Sequence, residues 1–181
     1  MTLDGIPQLI DGLATRYAEV PGPGAIQAAR REFDGLRGTV YDDDELHETH
    51  MAQFLEWYAL ERPCLEQMTP AEHALVREPH PEDDRDLLGA LVRGQRSLFE
   101  LLKVLPGALL IHDLILGGRW QVNSASPMTG LEPGDIFEAR LLPWEGGVHF
   151  GPVFCFHPRP ARASIHAFLD QAADRGDLEP A

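Results

Sequence analysis

Apolar residues recur at helical spacing in the first half of the chain and alternate with polar ones in the second. Ile6, Leu9, Ile10, Leu13 and Tyr17 follow an i, i+3, i+4, i+7 pattern, which puts them on one face of a helix. The breaker cluster Pro21-Gly22-Pro23-Gly24 ends it. The spacing predicts a second helix over Ala25 to Leu36, stopped at Gly38. A third helix is expected to open at Asp42-Asp43-Asp44-Glu45, because carboxylates suit the positive end of the helix dipole. Leu46, Met51, Phe54, Leu55, Tyr58 and Leu60 would form its buried side, and Pro63 its end. Thr69-Pro70-Ala71-Glu72 combines a capping residue with proline at the first helical position and starts a short fourth helix. Leu87, Leu88, Leu91 and Val92 mark a fifth over Glu82 to Arg93.

From about residue 96 the pattern changes. Ser97 to Leu105, Ala108 to Ile115, Arg119 to Ser124, Ile136 to Leu142 and Val148 to Phe156 read as strands. Pro106-Gly107, Leu116-Gly117-Gly118, Leu131 to Asp135 and Trp144 to Gly147 are turns between them. Five short strands with tight turns predict a small antiparallel barrel or strongly curled sheet, which removes exposed edges. Phe150, Phe154 and Phe156 share a parity and would line one face. A last helix over Ala161 to Ala173 carries Ile165, Phe168 and Leu169 on one side. The expectation is an α+β protein: a helical region (1–96), a small five-stranded antiparallel β barrel-like domain (97–158), and a C-terminal helix and tail (159–181).

Composition narrows the partners. The 181 residues carry 29 Asp and Glu against 15 Lys and Arg, a net charge of -14. That argues against nucleic acid or an anionic membrane surface, where Lys and Arg must neutralise phosphates. No run of about 18 apolar residues offers a membrane span. The N-terminal stretch lacks the basic start and apolar run of a signal peptide, and two cysteines are too few for a disulfide scaffold. A cytoplasmic protein is expected.

Ser97-Leu98-Phe99-Glu100 is followed by Leu110-Ile111-His112-Asp113-Leu114-Ile115-Leu116-Gly117-Gly118. Leu131-Glu132-Pro133-Gly134-Asp135 and Ala139-Arg140-Leu141-Leu142-Pro143 come next. With Phe54 to Tyr58 before them, these segments resemble a group of uncharacterised bacterial proteins. In that group an acidic helical region precedes a small β domain, and some members end in a SEC-C zinc motif. The resemblance spans about Met51 to Pro158 and implies the architecture alone. This chain has no cysteine cluster after Cys155, so no zinc tail is implied.

The densest candidate chemistry lies in Asp42 to His50. His47 and His50 are three apart and share a helical face; with Glu45 and Asp43 nearby they could ligate Zn, Fe or Mn. The same residues also fit a charged helix entry with solvated histidines. Asp83-Asp84-Arg85-Asp86 reads as an acidic helix start. Asp113 precedes a Gly-Gly turn and is expected to bind backbone amides. Ser124 and Ser126 lack a nucleophile elbow, and Cys64 lacks a helix start beside it. Trp144, in a turn, and the acidic Asp42, Asp43 and Asp44 are candidate contact residues for a protein partner. Together these observations predict a non-enzymatic cytoplasmic adaptor or regulatory protein, needing no cofactor and binding another protein with a basic surface. A metal-dependent enzyme using His47, His50 and Glu45 is one alternative. An inhibitor or immunity-type protein masking a basic site is another.

Overall fold

The structure, a computed structural model, describes residues 3–124 and 130–178. The chain divides into two compact units, Met1–Arg93 and Gly94–Ala181. The sequence pattern sets the change of character three residues later, at 96/97, and sets residues 159–181 apart from the β region.

The first unit is helical. Helix α1 (Ile6–Tyr17) buries Ile6, Ile10, Leu13, Ala14 and Tyr17; of the positions its periodicity predicts, Leu9 is only half-buried, and Ala14 is added. Helix α2 (Ala25–Arg37) follows Gly24, whose φ of 78° is the left-handed conformation glycine adopts without strain. It buries Ala29 and Phe33. The Phe33 ring lies 5.7 Å from Phe54 and 5.3 Å from Trp57 of helix α3 (His47–Leu60). Helix α4 (Pro70–Arg77) starts with a full capping box. Glu72 N–H donates to Thr69 Oγ1 at 3.2 Å, and Thr69 N–H donates to Glu72 Oε2 at 2.8 Å. Helix α5 (Glu82–Arg93) buries Leu87, Leu88 and Leu91.

One helix entry differs from the reading of the sequence. Helix α3 begins at His47, not at Asp42. The Asp44 carboxylate accepts the Tyr41 N–H at 2.8 Å, and the Asp44 N–H donates to the Tyr41 carbonyl at 3.0 Å. Aspartate side chains compete with helix formation by bonding nearby backbone groups, and here they close a turn ahead of the helix. Leu46 therefore lies outside the helix and in solvent, not on its buried side.

The second unit holds β1 (Gln95–Leu105), β2 (Ala108–Asp113), β3 (Arg119–Asn123), β4 (Ile136–Trp144), β5 (Gly147–Phe150) and β6 (Cys155–Phe156) in one sheet. Its order is β1-β2-β3-β5-β4-β6, and β1 also pairs with β4 through Gln95 to Glu100. Six strands stand where the sequence predicts five, and the sheet is mixed, not antiparallel throughout. The β3–β5 pairing, Asn123 with His149, is parallel. Connectivity requires this. Five strands joined pair by pair, with β4 returning to β1, cannot alternate in direction all the way round. One neighbouring pair must run parallel.

The sixth strand arises because Val148 to Phe156 is not one strand. Gly151 N–H still donates to the Arg140 carbonyl at 2.8 Å. Pro152 has no N–H to give, and pairing with β4 resumes only at Cys155. Phe150, Phe154 and Phe156 still share one face: their rings lie 5.9, 6.1 and 5.5 Å from that of the core residue Phe137, with Phe156 at the exposed rim. That core is Phe99, Leu101, Leu109, Ile111, Val122, Phe137, Ala139 and Leu141.

Helix α6 (Arg162–Arg175) completes the unit. Arg162 donates to Glu100 of β1 at 3.0 and 2.5 Å, and Arg159 grips Asp135 at 2.6 Å. Leu169 and Ala172 are buried on α6, while Phe168, predicted on the apolar side, faces solvent. No helix among the described residues is long and apolar enough to cross a membrane.

Candidate functional site

The segment between α2 and α3 has the most distinctive surface of the helical unit. Asp42, Asp43, Asp44 and Glu45 are all exposed. Three large apolar side chains flank them in solvent: Leu36 is 69% exposed, Tyr41 67% and Leu46 63%. A large apolar side chain left in water forgoes about 1.5–3 kcal/mol of burial free energy. Three of them fall within eleven residues around the four acids, and a partner that covered them would recover that free energy. The apolar half of this surface is missing from the sequence reading. Its signal was there: Tyr41 and Leu46 bracket four consecutive acids, and α2 carries Leu36 one residue before its end.

The predicted metal ligands are not brought together. His50 is buried, and its Nε2 lies 3.1 Å from Asp34 Oδ1 of α2. Burial alone would raise the Asp34 carboxyl, but hydrogen bonds from His50 and Arg30 outweigh it and hold the group below the usual range. His47 turns elsewhere, with Nδ1 3.6 Å from Asp42. Glu45 is exposed in the turn. Among the described residues, no three His, Cys, Asp or Glu side chains converge as metal ligands. The two histidines instead face separate carboxylates, one on α2 and one in the turn before α3.

Other reactive side chains are held in structural roles. Tyr17 Oη donates to Glu78 Oε1 at 2.9 Å. With its proton given there, the hydroxyl accepts from His73 Nδ1 at 2.8 Å. Burial, then the bond to Glu78, pushes the Tyr17 phenol far above its ordinary range. The trio ties the end of α1 to α4. Burial also raises the Cys64 thiol, which leaves it a poor nucleophile near neutral pH. Asp113 behaves as its turn position implies. Its Oδ1 accepts from Ile115 N and Leu116 N at 3.0 Å each, and from Ser97 Oγ at 2.6 Å. Ser126 lies outside the described residues.

Trp144 ends β4, half-buried opposite Gly147, and so offers less surface than its turn-side position implies. Trp120, whose strand position points to the core, is 43% exposed near the start of β3. The outward side of β1–β3 carries a second kind of surface. His112 pairs with Arg119, Lys103 with Leu110, and Leu110 with Gln121. These positions alternate with the buried Leu109, Ile111 and Val122, so they lie on the face away from the core. Lys103 and Arg119 are exposed.

Comparison with protein-family profiles, with curated proteins and with solved structures finds no match.

Proposed function

We propose that this protein is a non-enzymatic adaptor or regulatory module that binds another protein through the segment from Leu36 to Leu46. The single observation that carries this reading is the pairing of four exposed acids with three exposed apolar side chains in that segment. Charge steers a partner and sets specificity, while buried apolar anchors supply most of the affinity. The partner chemistry follows: a basic surface with an apolar depression for Tyr41 or Leu46. The charge distribution supports the same end of the chain. Residues 1–93 hold 19 acids and 8 bases, a net charge of -11, against 10 acids and 7 bases, -3, in residues 94–181.

The circuit of pairings from β1 back to β1 supports reading the second unit as a small Greek-key barrel, with β6 added outside the ring. On this proposal the barrel is a scaffold. The resemblance to acidic bacterial proteins with a small β domain agrees with that architecture. A cytoplasmic site is proposed with it, on a sequence holding two cysteines, too few for a disulfide scaffold.

The test is affinity capture from lysate with two baits, the wild-type chain and a Tyr41→Ser/Leu46→Ser variant. The proposal expects at least one protein retained by the first and lost by the second. Identical captures from both baits would remove the reading.

A further inference from the structure

The chain carries a surface complementary to its own acidic segment. In a protein with nearly twice as many acids as bases, most of the arginines have acidic partners. Arg16, Arg30, Arg62, Arg77, Arg96, Arg159, Arg162 and Arg175 all make ion pairs. Lys103 and Arg119 are exceptions that share one sheet face, and neither enters an ion pair among the described residues. The register surrounds the half-buried Leu110 with basic and polar groups. Lys103 lies beside it on β1 and Gln121 beside it on β3, with His112 and Arg119 in the next row. Neighbouring strands are about 4.8 Å apart and same-face residues about 7 Å apart along a strand, so Lys103 and Arg119 stand roughly 12 Å from each other across Leu110. The carboxylate of this face, Glu100, is already engaged by Arg162 at 2.5 Å and faces His166 at 3.4 Å. The face is therefore cationic around an apolar centre, and the Tyr41 to Leu46 turn is anionic between two apolar ends.

We propose that the acidic turn of one copy docks on the Lys103–Leu110–Arg119 face of a second copy, so that the protein self-associates. The proposal rests on the reading of Leu36 to Leu46 as a docking segment and names one partner for it. The contact joins two different surfaces, so it closes as a two-fold dimer where each copy's turn reaches the other's face, and otherwise continues head to tail past the dimer unless a ring closes. Copies with a net charge of -14 also repel one another, and salt screens both that repulsion and the local attraction. Ionic strength alone is thus a poor discriminator, and charge reversal is the better one.

The experiment is sedimentation velocity of the full chain from about 10 to about 500 µM at about 0.15 M salt, near physiological screening. Three samples are needed: wild type, the turn variant Asp42→Lys/Asp43→Lys, and the face variant Lys103→Glu/Arg119→Glu. Asp44 is left alone because its carboxylate holds the Tyr41 amide. Circular dichroism checks that each variant folds, and all four substituted side chains are exposed. The proposal expects the wild type to sediment faster as concentration rises. Each variant alone stays monomeric, because the turn variant's four residues fall to no net charge against the basic face and the face variant sets acid against acid. An equimolar mixture of the two variants recovers association, since the unaltered acidic turn of the face variant meets the unaltered basic face of the turn variant. A wild type that is monomeric throughout, a variant that still associates alone, or a mixture that stays monomeric each overturns it. A monomeric wild type whose capture of a lysate protein still depends on Tyr41 and Leu46 would overturn self-association only. Loss of both dependences would overturn the docking segment itself.

Discussion

Single side chains in this protein act through the neighbours they satisfy. Asp113 is buried, and one oxygen accepts two amides and the Ser97 hydroxyl. Ser97→Ala removes a hydrogen bond to a charged group and is expected to cost about 1.5–3 kcal/mol in urea unfolding. A loss below about 0.5 kcal/mol, the level of ordinary surface changes, would show that water replaces the hydroxyl. The amide bonds of Asp113 were legible in the sequence, since aspartate before Gly117-Gly118 has few other uses. The Ser97 partner was not, because it comes from a strand sixteen residues away. Tyr17 presents the same contrast. Its place on the buried face of α1 follows from periodicity, whereas its link to His73 and Glu78 depends on how α1 and α4 meet.

At the scale of elements, ends and interruptions decide more than propensity. The Thr69 cap is complete in both directions, and Thr69→Ala should cost about 1 kcal/mol by thermal or urea unfolding, with Thr69→Ser largely neutral. Equal losses from both substitutions would place the effect in the buried methyl group, not in the cap. The Thr69 box was legible because side chain and amide partner lie within four residues. The start of α3 was not, although it too is local. Acids at Asp42 to Glu45 fit a helix entry and a preceding turn equally well, and the Tyr41–Asp44 closure selected the turn. The Arg159–Asp135 tie sets a pH dependence. The hydrogen bond from Arg159, more than burial, governs Asp135 and holds its carboxyl below the ordinary value. A lowered folded value means stability that is present above the unfolded value, near pH 4, and lost as pH falls through the folded one. The stability difference between wild type and Asp135→Asn is therefore expected to shrink as pH drops from about 6 to about 3, measured by denaturant unfolding. A gap that holds constant would exclude the carboxylate charge as its source.

For the whole molecule, charge is the dominant feature. A net charge of -14, with -11 in residues 1–93, makes the folded state work against its own repulsion. Sodium chloride raised to about 0.3 M, where screening reaches about 6 Å, should raise the melting temperature in differential scanning fluorimetry. A fall would mean that the ion pairs outweigh the repulsion. The sequence by itself determined the α+β class, nearly all the helices, the turns that join β1 through β5 and the acidic bias. Each of these depends on neighbours within one or two turns of chain, where spacing and residue type suffice. Only the tertiary structure decided that β3 and β5 run parallel, because that follows from a closed order of five strands and not from any one of them. It also decided that His47 and His50 face different carboxylates. A three-residue spacing puts two side chains on one side of a helix, but what waits there comes from α2 and from the turn before α3.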